Sequence, residues 1–328
     1  MDPSRLSNSA IFAHLRDVRL SQKRLPAEVL HHGEELVQRG ALNKDNSQVW
    51  DTMEQLATAA IESGQLSLAT VLISRLASRF SDSAPRVATL QGMLLEGRGE
   101  LRLAREFYED RLRENESDVL SRKRLCALHL SSPLVTLPSS ASDLSPTLHP
   151  YFDASLTLSK GIALLTDYLD TYYTDHTSWL TLSSSYARLS LYPQALSAAS
   201  HAVLLQPNNG WVHLKYAELA YTAGEVEVAW KGFLRVIEMS DDQGITGQGL
   251  QGPGRRAAMG AKLCLTRLRA SPSKPSASIA DPLLAPKHLD AMEVLLTRLL
   301  LDDYSKDGAV GAGVIRKWLG SREGDVAR

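Results

Sequence analysis

The sequence predicts an all-α protein, a superhelical solenoid of about five to six helical hairpins. The first observation is a pair of adjacent runs in which apolar or small residues recur every three or four positions, the spacing that places side chains on one face of an α-helix. The runs lie within 179–207: Trp179, Leu182 and Tyr186 form the first, and Ala195, Ala199 and Ala202 form the second. Pro193 suits the first turn of the second helix, and Pro207 stops that helix. Together the two runs predict one helical hairpin.

The second observation is that this hairpin recurs along the chain. Ala229 follows Ala195 by 34 positions, and Gly224 supplies the turn within the later hairpin. Equivalent pairs of runs occupy 56–76 and 92–108, with Gly64 and Gly99 at or near their turns. A helix–turn–helix unit repeated every 34 residues is typical of tetratricopeptide repeats. The predicted fold is therefore a tetratricopeptide-repeat solenoid.

Composition excludes several other classes of protein. The 328 residues are 44% hydrophobic and 22% charged, which suits one folded solenoid, and the net charge of −1 gives no reason to expect nucleic acid as a partner. Cys126 and Cys264 lie in apolar helical stretches, which favours buried free thiols in a reducing compartment. No window approaches 18 uncharged apolar residues, so we expect no transmembrane helix.

The pattern divides the chain into three parts. Residues 1–24 are expected to form a flexible or docking N-terminal segment, 25–303 the solenoid and 304–328 a disordered C-terminal tail, although Ile315, Trp318 and Leu319 offer a local docking face. A helix from 26 to 39 would cap the first hairpin. His31 and His32 are adjacent within it, so we expect both to face solvent and no metal to bind there.

Three insertion loops interrupt the solenoid. Residues 131–150 are rich in Ser and Pro, 241–254 are rich in Gly, and 271–282 contain Pro and Ser again. Helical spacing resumes after the first loop, where Gly161 precedes Ala195 by 34 positions. The first loop therefore lengthens the turn inside one repeat without changing the phase of the repeats that follow.

Catalytic chemistry has no sequence support. The chain has no HExxH or CxxC motif and no phosphate-binding loop that follows a predicted strand, and the glycines of GQGLQGPG lie in a linker between helices. We therefore expect no enzyme activity, cofactor, metal ion or small-molecule substrate.

The remaining function is protein binding in the groove formed by the first helices of successive hairpins. Positions offset from the packing face would line this groove, and they are Arg86, Met93, Lys123, Leu180, Arg188, Trp211, Leu214, Glu218 and Tyr221. Trp211 is the strongest candidate for contact with a partner, and the alternative is that it packs against the next repeat. The mixture of apolar and charged side chains suits a peptide or helix with apolar anchors.

The order of several motifs resembles one family, the second subunit of the endoplasmic reticulum membrane protein complex. The motifs are GEEL at 33–36, SRF followed by RVATLQGMLLEGRGELRLAREFYEDRL, SRKRL at 121–125, DYLDTYYTDHTSWLTLSSSYARLSLYPQAL and QPNNGWVHLKYAELAYTAG. They cover roughly residues 28–240, and the loops at 131–150 and 241–254 depart from the family.

The resemblance implies a non-catalytic cytosolic scaffold, peripheral to the endoplasmic reticulum membrane through its partner subunits. Its partners would be cytosolic segments of those subunits, and the complex would help to insert tail-anchored and multi-spanning membrane proteins. The competing hypothesis is a soluble tetratricopeptide co-chaperone or adaptor that binds acidic peptide tails. Such a protein needs several basic side chains converging in one groove, and the predicted groove has Leu180, Trp211 and Leu214 instead.

Overall fold

The computed structural model describes residues 6–21, 23–43, 45–131, 157–241, 252–270, 286–306 and 309–319. These residues form fifteen α-helices and one short 3-10 turn at Ala41–Asn43, and no strand occurs among them. The predicted all-α tetratricopeptide fold is therefore confirmed. The chain divides into two compact units, Met1–Leu164 and Leu165–Arg328, and each is described separately.

The first unit contains seven complete helices and the start of an eighth. They are α1 (Asn8–Leu20), α2 (Pro26–Gln38), α3 (Ser47–Glu62), α4 (Leu66–Phe80), α5 (Pro85–Gly97), α6 (Leu101–Glu114), α7 (Val119–Ser131) and α8 (Leu158–Thr171). Because α8 crosses residue 164, it continues into the second unit.

The N-terminal helix is part of the core of the first unit. Ile11 and Leu15 of α1 are fully buried, and the Arg39 guanidinium after α2 donates to the Leu6 carbonyl at 2.7 Å. The adjacent histidines differ from the prediction: His31 is exposed, but His32 is only 2% exposed. His32 is buried because it faces α1, a neighbour that lies outside the repeats.

The second unit continues with α9 (His176–Arg188), α10 (Tyr192–Leu205), α11 (Gly210–Ala223), α12 (Val226–Asp241), α13 (Gly254–Ala270), α14 (Pro286–Lys306) and α15 (Ala309–Leu319). The presence of α15 corrects the expectation that 304–328 is a disordered tail. Ile315 is 4% exposed in the core of this unit, and Leu319 packs against the same core. Residues 320–328 lie outside the described part.

Four hairpins share one turn geometry. At the end of α3, Gly64 has φ of +78°, and the Gln65 amide donates to the carbonyl of Ala60, five residues earlier. Gly99 and Gly224 occupy the same position after α5 and α11, and Ser190 occupies it after α9 with φ of +59°. This left-handed conformation ends a helix and satisfies its last carbonyls, and it favours glycine.

Small residues allow the helices to approach closely. A Cβ on Gly92 of α5 would lie 2.4 Å from the Tyr108 ring of α6, and one on Gly232 of α12 would lie 2.9 Å from the Ala217 Cβ of α11. Ala195 and Ala229 are fully buried at the positions where the repeat recurs.

The first loop follows α7, whose last residue is Ser131. Gly161 of α8 lies against α7, since a Cβ on it would be 2.9 Å from His129 Cβ. Residues 132–156, which contain nearly all of the predicted first loop, lie outside the described residues. So do residues 242–251 and 271–285, which contain most of the second loop and all of the third.

Candidate protein-binding sites

The predicted groove residues fall in both units: Arg86, Met93 and Lys123 lie in the first, and the remaining six lie in the second. Met93 and Lys123 are half-buried, and Met93 packs against the core of the first unit. Arg86 has a different environment, because it lines an open cleft.

The cleft around Arg86 has a volume of about 630 Å³ and is formed by the start of α3, the end of α4 and the start of α5. The local sequence sets each of these boundaries. The Asn46 side chain caps α3 by accepting from the Gln48 amide, Ser81 turns the chain after α4 with φ of +77°, and Pro85 starts α5. We call this pocket the aromatic cleft.

Two aromatic rings form the apolar wall of the aromatic cleft. Trp50 and Phe80 contact edge to face with 5.5 Å between ring centroids, and Phe80 remains 46% exposed. The Trp50 indole N–H donates to Asp45 at 2.8 Å, which fixes the orientation of the indole. Leu76, Val87 and Leu90 also line the cleft. An exposed phenylalanine packed on a half-buried indole, beside aliphatic side chains, is the kind of surface on which a partner's apolar anchor gains most of its binding energy.

The rim of the aromatic cleft carries both signs of charge. The Arg86 guanidinium donates to Glu54 and lies 3.6 Å from Asp51. The hydrogen bond to Glu54 raises the pKa of Arg86 above its usual value. Arg79 lies 3.7 Å from Asp45 and 5.7 Å from the Phe80 centroid. The basic side chains are therefore matched by carboxylates on the same rim.

The repeat spacing did not identify Trp50 and Phe80 as site residues. Neither belongs to the packing positions of the first hairpin, which include Leu56, Ala60 and Ala69. They lie at the beginning of α3 and at the end of α4, and only the folded hairpin brings these two ends together.

In the second unit, the predicted face of α11 is largely covered. Leu214 is 3% exposed and belongs to the core, which contradicts its prediction as a groove residue. Glu218 forms an ion pair of 2.5 Å with Arg256 of α13, and the Arg267 guanidinium lies 4.2 Å from the Tyr221 ring centroid. This face lies against the next repeat, which is the alternative that the sequence left open.

Trp211 differs from the rest of that face, because 58% of it is exposed. It lies in the first turn of α11, where the Asn209 side chain accepts from its backbone amide at 3.1 Å. Its ring borders a second cleft of about 680 Å³, together with Pro207, Met239 and Pro253.

The two remaining predicted groove residues, Leu180 and Arg188, lie on α9. Leu180 is half-buried, and Arg188 is exposed.

Comparison with characterised proteins relates the chain to one family by sequence. It is 29% identical over 195 residues to ER membrane protein complex subunit 2 of Dictyostelium discoideum and 24% identical over 216 residues to subunit 2-A of Xenopus laevis. The chain is a relative of these subunit 2 proteins. The resemblance drawn from the motifs is thereby confirmed. TPR repeat protein oca3 of Schizosaccharomyces pombe is 26% identical over 206 residues.

These alignments cover 60%, 65% and 61% of this chain, in the order given. They span 53% of the Dictyostelium protein and 64% of each of the other two. The chain thus spans between about half and two thirds of the relatives that it matches. No family model matches the chain.

Solved structures give weaker likenesses. A crystal structure of MamA protein aligns with a TM-score of 0.44 at 14% identity and covers 69% of this chain and 94% of its own. MamA of Desulfovibrio magneticus RS-1 aligns with a TM-score of 0.41, also at 14% identity, over 59% of this chain and 96% of its own.

Within the described residues, no helix is both long enough and apolar enough to cross a membrane.

Proposed function

We propose that the chain is a non-catalytic scaffold subunit of an endoplasmic reticulum membrane protein complex. The sequence similarity to the subunit 2 proteins is the observation that carries this proposal. The chain would lie on the cytosolic face of the membrane and be held there by its partner subunits. By organising them, it would support the insertion of tail-anchored and multi-spanning membrane proteins.

The aromatic cleft would hold a cytosolic segment of a partner subunit. Its wall offers Trp50 and Phe80 to an apolar anchor, and its rim offers Arg79 and Arg86 beside carboxylates to flanking charges of either sign. A buried aromatic or aliphatic anchor typically contributes about 2 kcal/mol or more to association, whereas a rim charge contributes less than about 1 kcal/mol. The apolar wall is therefore expected to dominate the affinity.

The same geometry disfavours the co-chaperone alternative. A clamp for an acidic tail needs basic groups whose charge is free for the incoming carboxylate. In the aromatic cleft, Arg86 already pairs with Glu54 and Asp51, and Arg79 lies beside Asp45. An acidic peptide would have to displace these carboxylates.

Trp211 would provide a second partner contact in the other unit. Its exposed ring and the neighbouring Pro207 and Met239 give a smaller apolar surface than the aromatic cleft does. The two contacts are proposed independently: Phe80→Ala tests the aromatic cleft and Trp211→Ala tests this second contact, both by co-purification.

Co-purification from detergent-solubilised membranes tests the proposal. Tagged wild-type chain, expressed in cells that lack the endogenous protein, is expected to capture other subunits of the complex. Phe80→Ala should reduce this capture by tenfold or more, because it removes the exposed half of the aromatic pair. Val71→Ala is the matched control, since Val71 is 64% exposed on the same helix and does not line the cleft.

Capture of cytosolic heat-shock proteins in place of membrane subunits would overturn the scaffold proposal. Equal capture by wild type and Phe80→Ala would remove only the aromatic cleft from it. Alkaline carbonate extraction provides a further check. The chain should sediment with endoplasmic reticulum membranes at neutral pH and be released by carbonate, whereas retention in the carbonate pellet would contradict attachment through partners.

A further inference from the structure

A cluster of three potential metal ligands lies between the two N-terminal helices, away from the aromatic cleft. His14 comes from α1, and Glu28 and His32 come from α2, where their spacing of four residues places them on one face. His14 Nε2 lies 2.9 Å from a Glu28 carboxylate oxygen, and one ligand atom from each of the three residues lies within 4.8 Å of the others.

His32 is the least explained member of this cluster. The residue is 2% exposed, and its Nδ1 is buried without a hydrogen-bond partner. A buried polar atom of this kind costs about 1–3 kcal/mol when it is left unsatisfied. Its ring lies 4.7 Å from the His14 ring, centroid to centroid, in an edge-on arrangement. Helix packing alone therefore does not explain why a polar imidazole occupies this buried position.

We propose that His14, Glu28 and His32 bind a divalent transition-metal ion of the zinc class. Two imidazoles and one carboxylate are a ligand set that proteins use for zinc, with a water molecule in the fourth position. Ligand atoms around a tetrahedral zinc ion lie about 3.3 Å apart, given metal–ligand bonds of about 2.0–2.1 Å. The separations in the cluster, from 2.9 to at most 4.8 Å, bracket that value.

The cluster is accessible from solvent. The His14 and Glu28 side chains are 38% and 40% exposed, so an ion can enter from solvent. The bound ion would join α1 to α2 and so fasten the N-terminal helix to the first hairpins.

Titration calorimetry of the full-length chain tests this site, with any histidine tag removed and bound metals first stripped by a chelator. With zinc chloride as the probe, we expect one ion per chain and a melting temperature that rises with zinc concentration. Cobalt chloride should produce the visible absorption bands of a tetrahedral site.

His14→Ala and Glu28→Gln should each weaken zinc binding by tenfold or more while preserving the circular dichroism spectrum, since both side chains are partly exposed. His31→Ala is the matched control, because His31 is exposed next to His32 and does not belong to the ligand set. The proposal is overturned by the absence of saturable zinc binding, by equal binding in Glu28→Gln and wild type, or by an equal loss of binding in His31→Ala.

Discussion

Gly92→Ala tests the helix contact that defines the repeat phase. The new Cβ would lie 2.4 Å from two ring carbons and the hydroxyl oxygen of Tyr108, whereas ordinary contact begins at 3.4 Å. The ring or the helix must therefore move by about 1 Å. Tyr108 is fully buried, and its hydroxyl donates to Glu96 at 2.8 Å. The Arg124 guanidinium also donates to Glu96. The ring is held in place by these contacts.

The cost follows from three contributions. Overpacking a buried contact costs about 1–3 kcal/mol, and weakening the Tyr108–Glu96 hydrogen bond costs about 1 kcal/mol. Replacing glycine by alanine within a helix returns about 1 kcal/mol. The net destabilisation is about 1–3 kcal/mol. For a unit of the size of Met1–Leu164, this lowers the melting temperature by roughly 3–10 °C.

Thermal unfolding followed by circular dichroism measures the effect. Gly313→Ala is the control, because Gly313 is also helical but a Cβ added there would meet no atom within 4 Å, so this variant should melt at or slightly above the wild-type temperature. Combining Gly92→Ala with Tyr108→Leu should cost at least about 1 kcal/mol less than the sum of the single changes. Additive costs, or a Gly92→Ala variant as stable as wild type, would refute the assigned contact.

Three further predictions concern other hairpins. Ser190→Gly should raise stability by about 0.5–1 kcal/mol, because Ser190 has the left-handed conformation that glycine has in the other turns. Gly224→Ala should lower stability by about 1–2 kcal/mol from conformation alone. Melting temperatures of both variants equal to that of the wild type would contradict this. Burial raises the pKa of Cys264 to about 12, so N-ethylmaleimide at pH 8 should label it only after unfolding, and mass spectrometry of the native chain should find no adduct. Leu214→Ala should lower the free energy of unfolding, measured with denaturant, by about 2–5 kcal/mol, and Trp211→Ala should lower it by less than about 1 kcal/mol, since only the Leu214 side chain is buried. A larger loss for Trp211→Ala would show that Trp211 packs in the core.

Helical periodicity was sufficient to predict the repeats, because the residues that pack within a hairpin recur at fixed spacing. Ala195 and Ala229 are fully buried where that spacing places them, and Gly161 continues the phase beyond the first loop. The buried position of His32 could not be predicted in this way. Its partner His14 belongs to a helix outside the repeats, so no fixed spacing relates the two residues.

The face of α11 shows a different limit. Spacing correctly places Leu214, Glu218 and Tyr221 on one side of the helix, but it does not tell which neighbour covers that side. Arg256 and Arg267 of α13 cover it, and α13 follows a Gly-rich loop whose length breaks the register of the repeats. A shared helical face is therefore evidence of a common environment, and only the position of the next helix decides whether that environment is a groove or an interface between repeats.

A tryptophan borders the open cleft described in each unit. Trp50 precedes Ala69 by 19 residues and Trp211 precedes Ala229 by 18, so both lie in the first turn of the first helix of their hairpins. Trp211 is 58% exposed in this turn, and Trp50 is half-buried beside the aromatic cleft. Arg86, 18 residues before Ala104, occupies the same end of the second hairpin and borders the aromatic cleft. Each of these first turns also contributes a buried valine, namely Val49, Val87 and Val212, so only the other positions of the turn are open to a partner.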